Sequence, residues 1–235
     1  MNKLNENIFH QYNKWKENYV RKENSIKFKL NDFLDRHPKC KDIFSISEDG
    51  KCVNCSGSVF ISDEDLINGK FPFPFGTVYG DFDCDSCKEL ISLEGAPKEV
   101  GGSFWTYSCP NLTSLKGAPE KVDDDFTCGN CPNLTSLEGA PKEVGVDFGC
   151  IKCSKLTSLK GAPKEVGGWF ICHSCENLQS LEGAPQIVSG DFDCRKCESL
   201  TSLEHLTKEI NGTLRVDRRF EGQIPSDISV DFSRV

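Results

Sequence analysis

Cysteine and histidine are the residues of this chain with the chemistry to hold a metal or act as nucleophiles. There are 14 Cys and 4 His in 235 residues. Cys-x-x-Cys recurs at 84/87, 128/131, 150/153, 172/175 and 194/197. Outside that series, His37, Cys40, Cys52 and Cys55 give His-x2-Cys-x11-Cys-x2-Cys, a ligand set and spacing suited to a tetrahedral zinc. Structural zinc is therefore one reading of these four residues. The other is that they pack as small apolar groups at the end of a core, with His37 at the surface. For the recurring cysteines a row of metal sites is disfavoured, because the unit Phe104-Trp105-Thr106-Tyr107-Ser108-Cys109 lacks its first Cys and keeps the rest of the pattern. They read as a buried column, and the second of each pair is placed to offer its weak S–H donor to a carbonyl of the next coil. His173 beside Cys172 is the one Cys/His juxtaposition among the repeats. Neighbours on a strand face opposite ways, so the two cannot cooperate. With no Ser-His-Asp set and no phosphate loop, a non-enzymatic protein is expected.

The elements that position these residues repeat. Phe82, Phe104, Phe126, Phe148, Phe170 and Phe192 are 22 residues apart, and so are Cys87 to Cys197, Leu90 to Leu200, Leu93 to Leu203 and Val100 to Ile210. Gly-Ala-Pro closes five of the units, from 95–97 to 183–185. A 22-residue unit cannot bury its own apolar face, so the coils must stack into a solenoid. Phe-x-Cys has the period of a strand with both residues inward. The Leu-x-x-Leu step predicts a helical or 3₁₀ turn on the opposite side, and Gly-Ala-Pro turns the chain.

The unit Phe-x-Cys-x-x-Cys-x-x-Leu-x-Ser-Leu-x-Gly-Ala-Pro resembles the short, cysteine-containing leucine-rich repeat over about residues 78–217. Its wording is similar to repeats of bacteriophage and bacterial proteins. The resemblance implies an α/β solenoid with a parallel concave sheet, a short 3₁₀ or helical convex side and an N-terminal helical cap. It departs from the family in having Phe and Cys where Leu is usual. As to function, it implies a phage-type inhibitor that occupies a host protein, such as a defence nuclease.

Charge is polarised along the chain. Residues 1–39 carry nine Lys/Arg and five Asp/Glu, whereas the whole chain has a net charge of −8. Leu4, Ile8, Tyr12, Trp15 and Tyr19, widened by Phe9 and Val20, mark one face of a helix over 3–20. Ile26, Leu30, Phe33 and Leu34 mark a second over 25–36, ended by Pro38. The expected organisation is a basic helical cap or docking segment at 1–39, a junction with the zinc-type motif at 40–77, the solenoid at 78–217 and a C-terminal cap at 218–235. Val59-Phe60-Ile61 is expected as an early strand with Phe60 in the column of Phe82, and Thr213 to Val216 as a seventh. No apolar run reaches the ~20 residues that span a bilayer, and the N-terminus lacks the pattern of a secretory signal. Reduced thiols, a cytoplasmic location and a monomer are expected.

Function should lie on the outward positions of the Phe-x-Cys strands. The framework columns repeat and these do not. Trp105, Tyr107, Ile151, Trp169, Ile171 and His173 place aromatic and apolar groups there. They are ringed by Asp81, Asp83, Asp125, Asp147 and Asp191, with Arg195 and Arg215 toward the C-terminal end. Seven strands about 4.8 Å apart give a face about 30 Å long, enough for a protein interface. The expected function is a protein-binding module. The alternative is an acidic mimic of nucleic acid competing for a basic groove. Direct binding of nucleic acid is disfavoured by the acidic balance.

Overall fold

The computed structural model describes residues 25–233 and, ahead of them, Asn13, Lys14, Lys16 and Glu17. The helix face expected at Leu4, Ile8, Phe9, Tyr12, Trp15, Tyr19 and Val20 lies outside the described residues.

The 22-residue unit does build a solenoid, and each coil contributes two short strands to it. Numbered along the chain, the first sheet holds β1 (Phe44–Ile46), β2 (Val53–Cys55), β4 (Phe75–Val78), β6 (Glu99–Val100), β8 (Lys121–Val122), β10 (Glu143–Val144), β12 (Glu165–Val166), β14 (Ile187–Val188) and β16 (Glu209–Ile210). The second holds β3 (Val59–Phe60), β5 (Phe82–Asp83), β7 (Phe104–Trp105), β9 (Phe126–Thr127), β11 (Phe148–Gly149), β13 (Phe170–Ile171), β15 (Phe192–Asp193), β17 (Leu214–Asp217) and β18 (Val230–Ser233). Pairing is parallel throughout except between β1 and β2, and in the repeats each residue pairs with the residue one unit on, as Phe148 with Phe170.

The side expected to be helical is different. Leu-x-x-Leu runs through turns and extended backbone, and the convex layer is completed by the Glu-Val strands of the first sheet. The cause is the Gly-Ala-Pro turn. The Ala96 amide closes on the Leu93 carbonyl at 2.9 Å, and the chain leaves it extended just where the Val column begins. Gly117 shows why glycine stands in this turn. Its φ is +91°, and a Cβ there would lie 2.6 Å from the Leu93 carbonyl oxygen.

The core is three columns deep. Six phenylalanine rings stack face to face, from Phe82 to Phe192, with centroids 5.2–5.4 Å apart and ring planes within 24° of parallel. The Cys and Leu columns behind them are fully buried, as are the valines from Val100 to Val188. The second Cys of each coil does reach a carbonyl, but of the preceding coil and not of the next: Cys109, Cys131, Cys153, Cys175 and Cys197 donate to the carbonyls of Cys84, Thr106, Cys128, Cys150 and Cys172 at 3.1–3.3 Å. Burial pushes the thiols of Cys84, Cys128 and Cys194 well above the ordinary cysteine value. The thiols of Cys87 and Cys153 are pushed up to about 12, again chiefly by burial. They stay protonated at neutral pH and able to donate.

The stack also begins earlier than residue 78 and ends later than 217. β2 and β3 form an opening coil, and Phe71, Phe73 and Phe75, within the stretch expected as a junction, are buried. Phe71 and Phe75 meet Phe82 edge-on. Helix α1 (Ile26–Arg36) is N-capped by Ser25 and presses Leu30 and Phe33 onto this end, with Phe33 edge-on to Phe44 and Phe73. Within the expected C-terminal cap, Val230–Ser233 is a strand paired with β17. No helix of the described residues is long and apolar enough to cross a membrane.

Candidate functional site

The outward face of the second sheet takes one residue from each strand. Its central column runs Phe60, Asp83, Trp105, Thr127, Gly149, Ile171, Asp193, Arg215 and Asp231, each paired with the next across the sheet. Phe60 arrives there by a register shift. Val59, not Phe60, pairs with Phe82, so Val59 is buried and Phe60 is turned out, 63% exposed. One extra residue in the first interval reverses which side chain faces the core. Counting back 22 places from Phe82 hid this, although the switch from Phe-x-Cys to Val-x-Ile around Phe60 was the available signal.

Among the expected anchors, Trp169 is exposed at 44%, while Trp105, Tyr107, Ile151, Ile171 and His173 are half-buried on the same face. Burial, with Arg195, Lys152 and Lys196 nearby, holds His173 below the ordinary histidine value against the pull of Asp193. His173 Nδ1 lies 3.0 Å from Ser174 Oγ, and Cys172 is fully buried on the opposite side of the strand.

Asp81, Asp125, Asp147 and Asp191, expected to ring the site, also hold the stack together. Each accepts a backbone N–H from the next coil: Ser103 to Asp81 at 2.9 Å, Asp147 to Asp125 at 3.0 Å, Trp169 to Asp147 at 2.7 Å and Thr213 to Asp191 at 2.9 Å. Ser58 and Ser103 serve the Asp81 and Asp125 amides in the same way. The column is a ladder that satisfies the amide preceding each inward Phe, which the two-residue strands leave over. Trp169 interrupts it, having no side-chain oxygen to offer the next coil. Three asparagines make a second ladder, from Asn111, Asn133 and Asn177 Nδ2 to the carbonyls of Lys88, Pro110 and Ser154 at 2.7–2.8 Å.

The charges at the C-terminal end are paired within the chain. Arg195 grips Asp193 through Nε at 3.0 Å and Nη2 at 2.6 Å. Arg215 Nε donates to Asp191 at 2.8 Å, and its guanidinium carbon lies 5.2 Å from the Trp169 ring centre.

The four residues His37, Cys40, Cys52 and Cys55 admit two readings, zinc site or packing, and the structure does not bring the four side chains together. Among the described residues, no three His, Cys, Asp or Glu side chains group as a metal would require. His37 is committed elsewhere: it stacks on Phe33 at 4.3 Å, and its Nε2 lies 2.7 Å from Asp65 Oδ1. Asp65 is buried and also takes Arg36 at 2.6 Å and the Ser62 amide and hydroxyl. Burial alone would raise the Asp65 carboxyl, but the hydrogen bonds from His37 and Ser62 outweigh it and hold it below the ordinary value. Cys55 donates to the Gly57 carbonyl at 3.3 Å. The motif therefore fastens α1 to the opening coil.

A shallow groove of about 570 Å³ lies on the first sheet instead, lined by Lys121, Lys142, Lys164, Glu143, Glu165 and Ile187 among others. Its cations are largely answered locally, Lys121 by Asp123 at 2.6 Å and Lys142 by Glu120 at 3.5 Å. It has the character of a solvated surface of mixed charge. No protein-family model, no curated protein and no solved structure matches this chain.

Proposed function

We propose that this chain is a non-enzymatic protein-binding solenoid that occupies a partner's surface with the outward face of its second sheet. One observation carries the reading. The inward positions of that sheet repeat the same side chain coil after coil, while its outward column holds Phe60, Trp105 and Ile171, with exposed Trp169 beside it. A surface that only needed water would not place aromatic rings there, and such rings are the usual anchors of protein interfaces. The repeat wording extends the proposal to an inhibitor of a host protein, in the manner of bacteriophage proteins. The alternative, a row of carboxylates imitating a phosphate backbone, draws less support, because four of those carboxylates accept amides within the stack.

The test is affinity capture from the source cells with the full chain and with its Trp105→Ala and Trp169→Ala variants. A specific partner retained by the parent chain and released by both variants, each with unchanged circular dichroism, is expected. Retention by both variants would refute the proposal.

A further inference from the structure

The two ends of this face carry related chemistry, at one end with a counter-charge and at the other without. At the C-terminal end, a carboxylate and an aromatic ring hold a guanidinium together: Arg215 sits over Trp169 and donates to Asp191. At the N-terminal end, Phe60, Asp83 and Trp105 stand side by side on β3, β5 and β7 and face the same way. An aromatic residue therefore neighbours Asp83 on each adjoining strand, its backbone about 4.8 Å away. Asp83 Oδ1 accepts the Asp85 amide at 2.9 Å. Its Oδ2 has no hydrogen-bond partner, and neither Asp83 nor Asp85 forms an ion pair, among the described residues. Asp85 takes the Tyr107 amide at 2.6 Å, and the Tyr107 ring itself lies over Gly129 of the next coil.

We propose that Phe60, Asp83 and Trp105 form an arginine-binding notch, into which a protein partner inserts a guanidinium that pairs with Asp83 and stacks on the flanking rings. Charge complementarity sets the sign of the group. Geometry favours arginine over lysine, because a planar guanidinium can fork onto a carboxylate while its weakly hydrated face rests on a ring, whereas a compact ammonium is more strongly hydrated and has no flat face to stack. Within this molecule Arg215 donates to a carboxylate and sits over a ring. The notch deepens the proposed function and rests on it: it names the residue the partner must bring and the end of the face where it enters.

The experiment is a titration of the full-length, ¹⁵N-labelled protein with hexa-arginine and hexa-lysine peptides. The readouts are the Trp105 indole and Asp83 amide resonances, assigned with Trp105→Phe. Saturable shifts at both sites with hexa-arginine are expected, with hexa-lysine several-fold weaker. Asp83→Asn keeps an oxygen for the Asp85 amide and should weaken hexa-arginine about tenfold, the worth of one charge-assisted hydrogen bond. Trp105→Thr installs the residue that Thr127 supplies in the next coil, so it should fold and also lose affinity. Equal response to both peptides, shifts centred on the Trp169 indole, or an unchanged affinity in Asp83→Asn would each overturn the notch. A partner still released by Trp169→Ala after such a failure would leave the binding-face reading standing, whereas a partner retained by both tryptophan variants would sink that reading first.

Discussion

The two sheets have the same number of strands and the same 22-residue period, yet they are built for different work. The first buries a small residue per repeat, Val100 to Val188, and turns Glu99, Lys121, Glu143, Glu165 and Glu209 to water. The second buries Phe and Cys and turns out a column in which no residue type is kept. A solenoid needs every coil to match its neighbours on the inside only. Where the outside is charged in every repeat but one, Ile187 being the exception, solubility is enough to explain it. Where the outside varies between Trp, Ile, Asp and Arg, a shape imposed from elsewhere is the simpler account.

The comparison breaks first in the core. Phe148 stacks on Phe126 and Phe170, so Phe148→Ala should cost about 3–5 kcal/mol in denaturant unfolding. Val144→Ala on the first sheet should cost only about 1.5–2.5 kcal/mol, the worth of two buried carbons plus a small cavity. Equal costs would mean the sheets share the load. Asp147→Ala should lose about 0.5–1.5 kcal/mol, because the Trp169 amide loses the carboxylate that accepts it. The same change at Glu143, whose side chain is exposed, should fall within about 0.5 kcal/mol of the parent.

One predicted change has the opposite sign. Thr106 occupies the first Cys column, and its buried hydroxyl rests against the thiols of Cys84 and Cys109 with no well-formed hydrogen bond. Thr106→Val should therefore raise stability by about 1 kcal/mol. Thiol labelling sharpens the same picture of the interior. Cys40 and Cys52 are half-buried and the other twelve cysteines are buried, so the native protein should react quickly at those two and at the rest only on unfolding.

The sequence disclosed what the period repeats. The Phe, Cys and Leu columns were legible because six copies in phase point to one inward face, and the thiol-to-carbonyl bonds followed from where the second Cys must sit. The first sheet was not legible: a Glu-Val pair is too short to show alternation, and a single inward valine fits a turn as well as a strand. The aspartate ladder was hidden because a carboxylate beside a strand reads as solvated charge, while its partner is an amide 22 residues on. The His37 motif misled for a related reason. Ligand spacing along the chain says nothing of Asp65, 28 residues away, which takes His37 instead. Phe60 was misplaced by a single residue of register, the smallest error that inverts a strand.

The central claim, that partners meet the second sheet and not the first, is tested most directly by photo-crosslinking in the source cells. Benzoylphenylalanine is placed singly at positions 60, 105 and 169 on one sheet and at 99, 143 and 165 on the other. Discrete adducts of one common mass from the first three positions, with none from the second three, are predicted. Adducts confined to 99, 143 and 165 would place the binding surface on the wrong side of the solenoid and contradict the account.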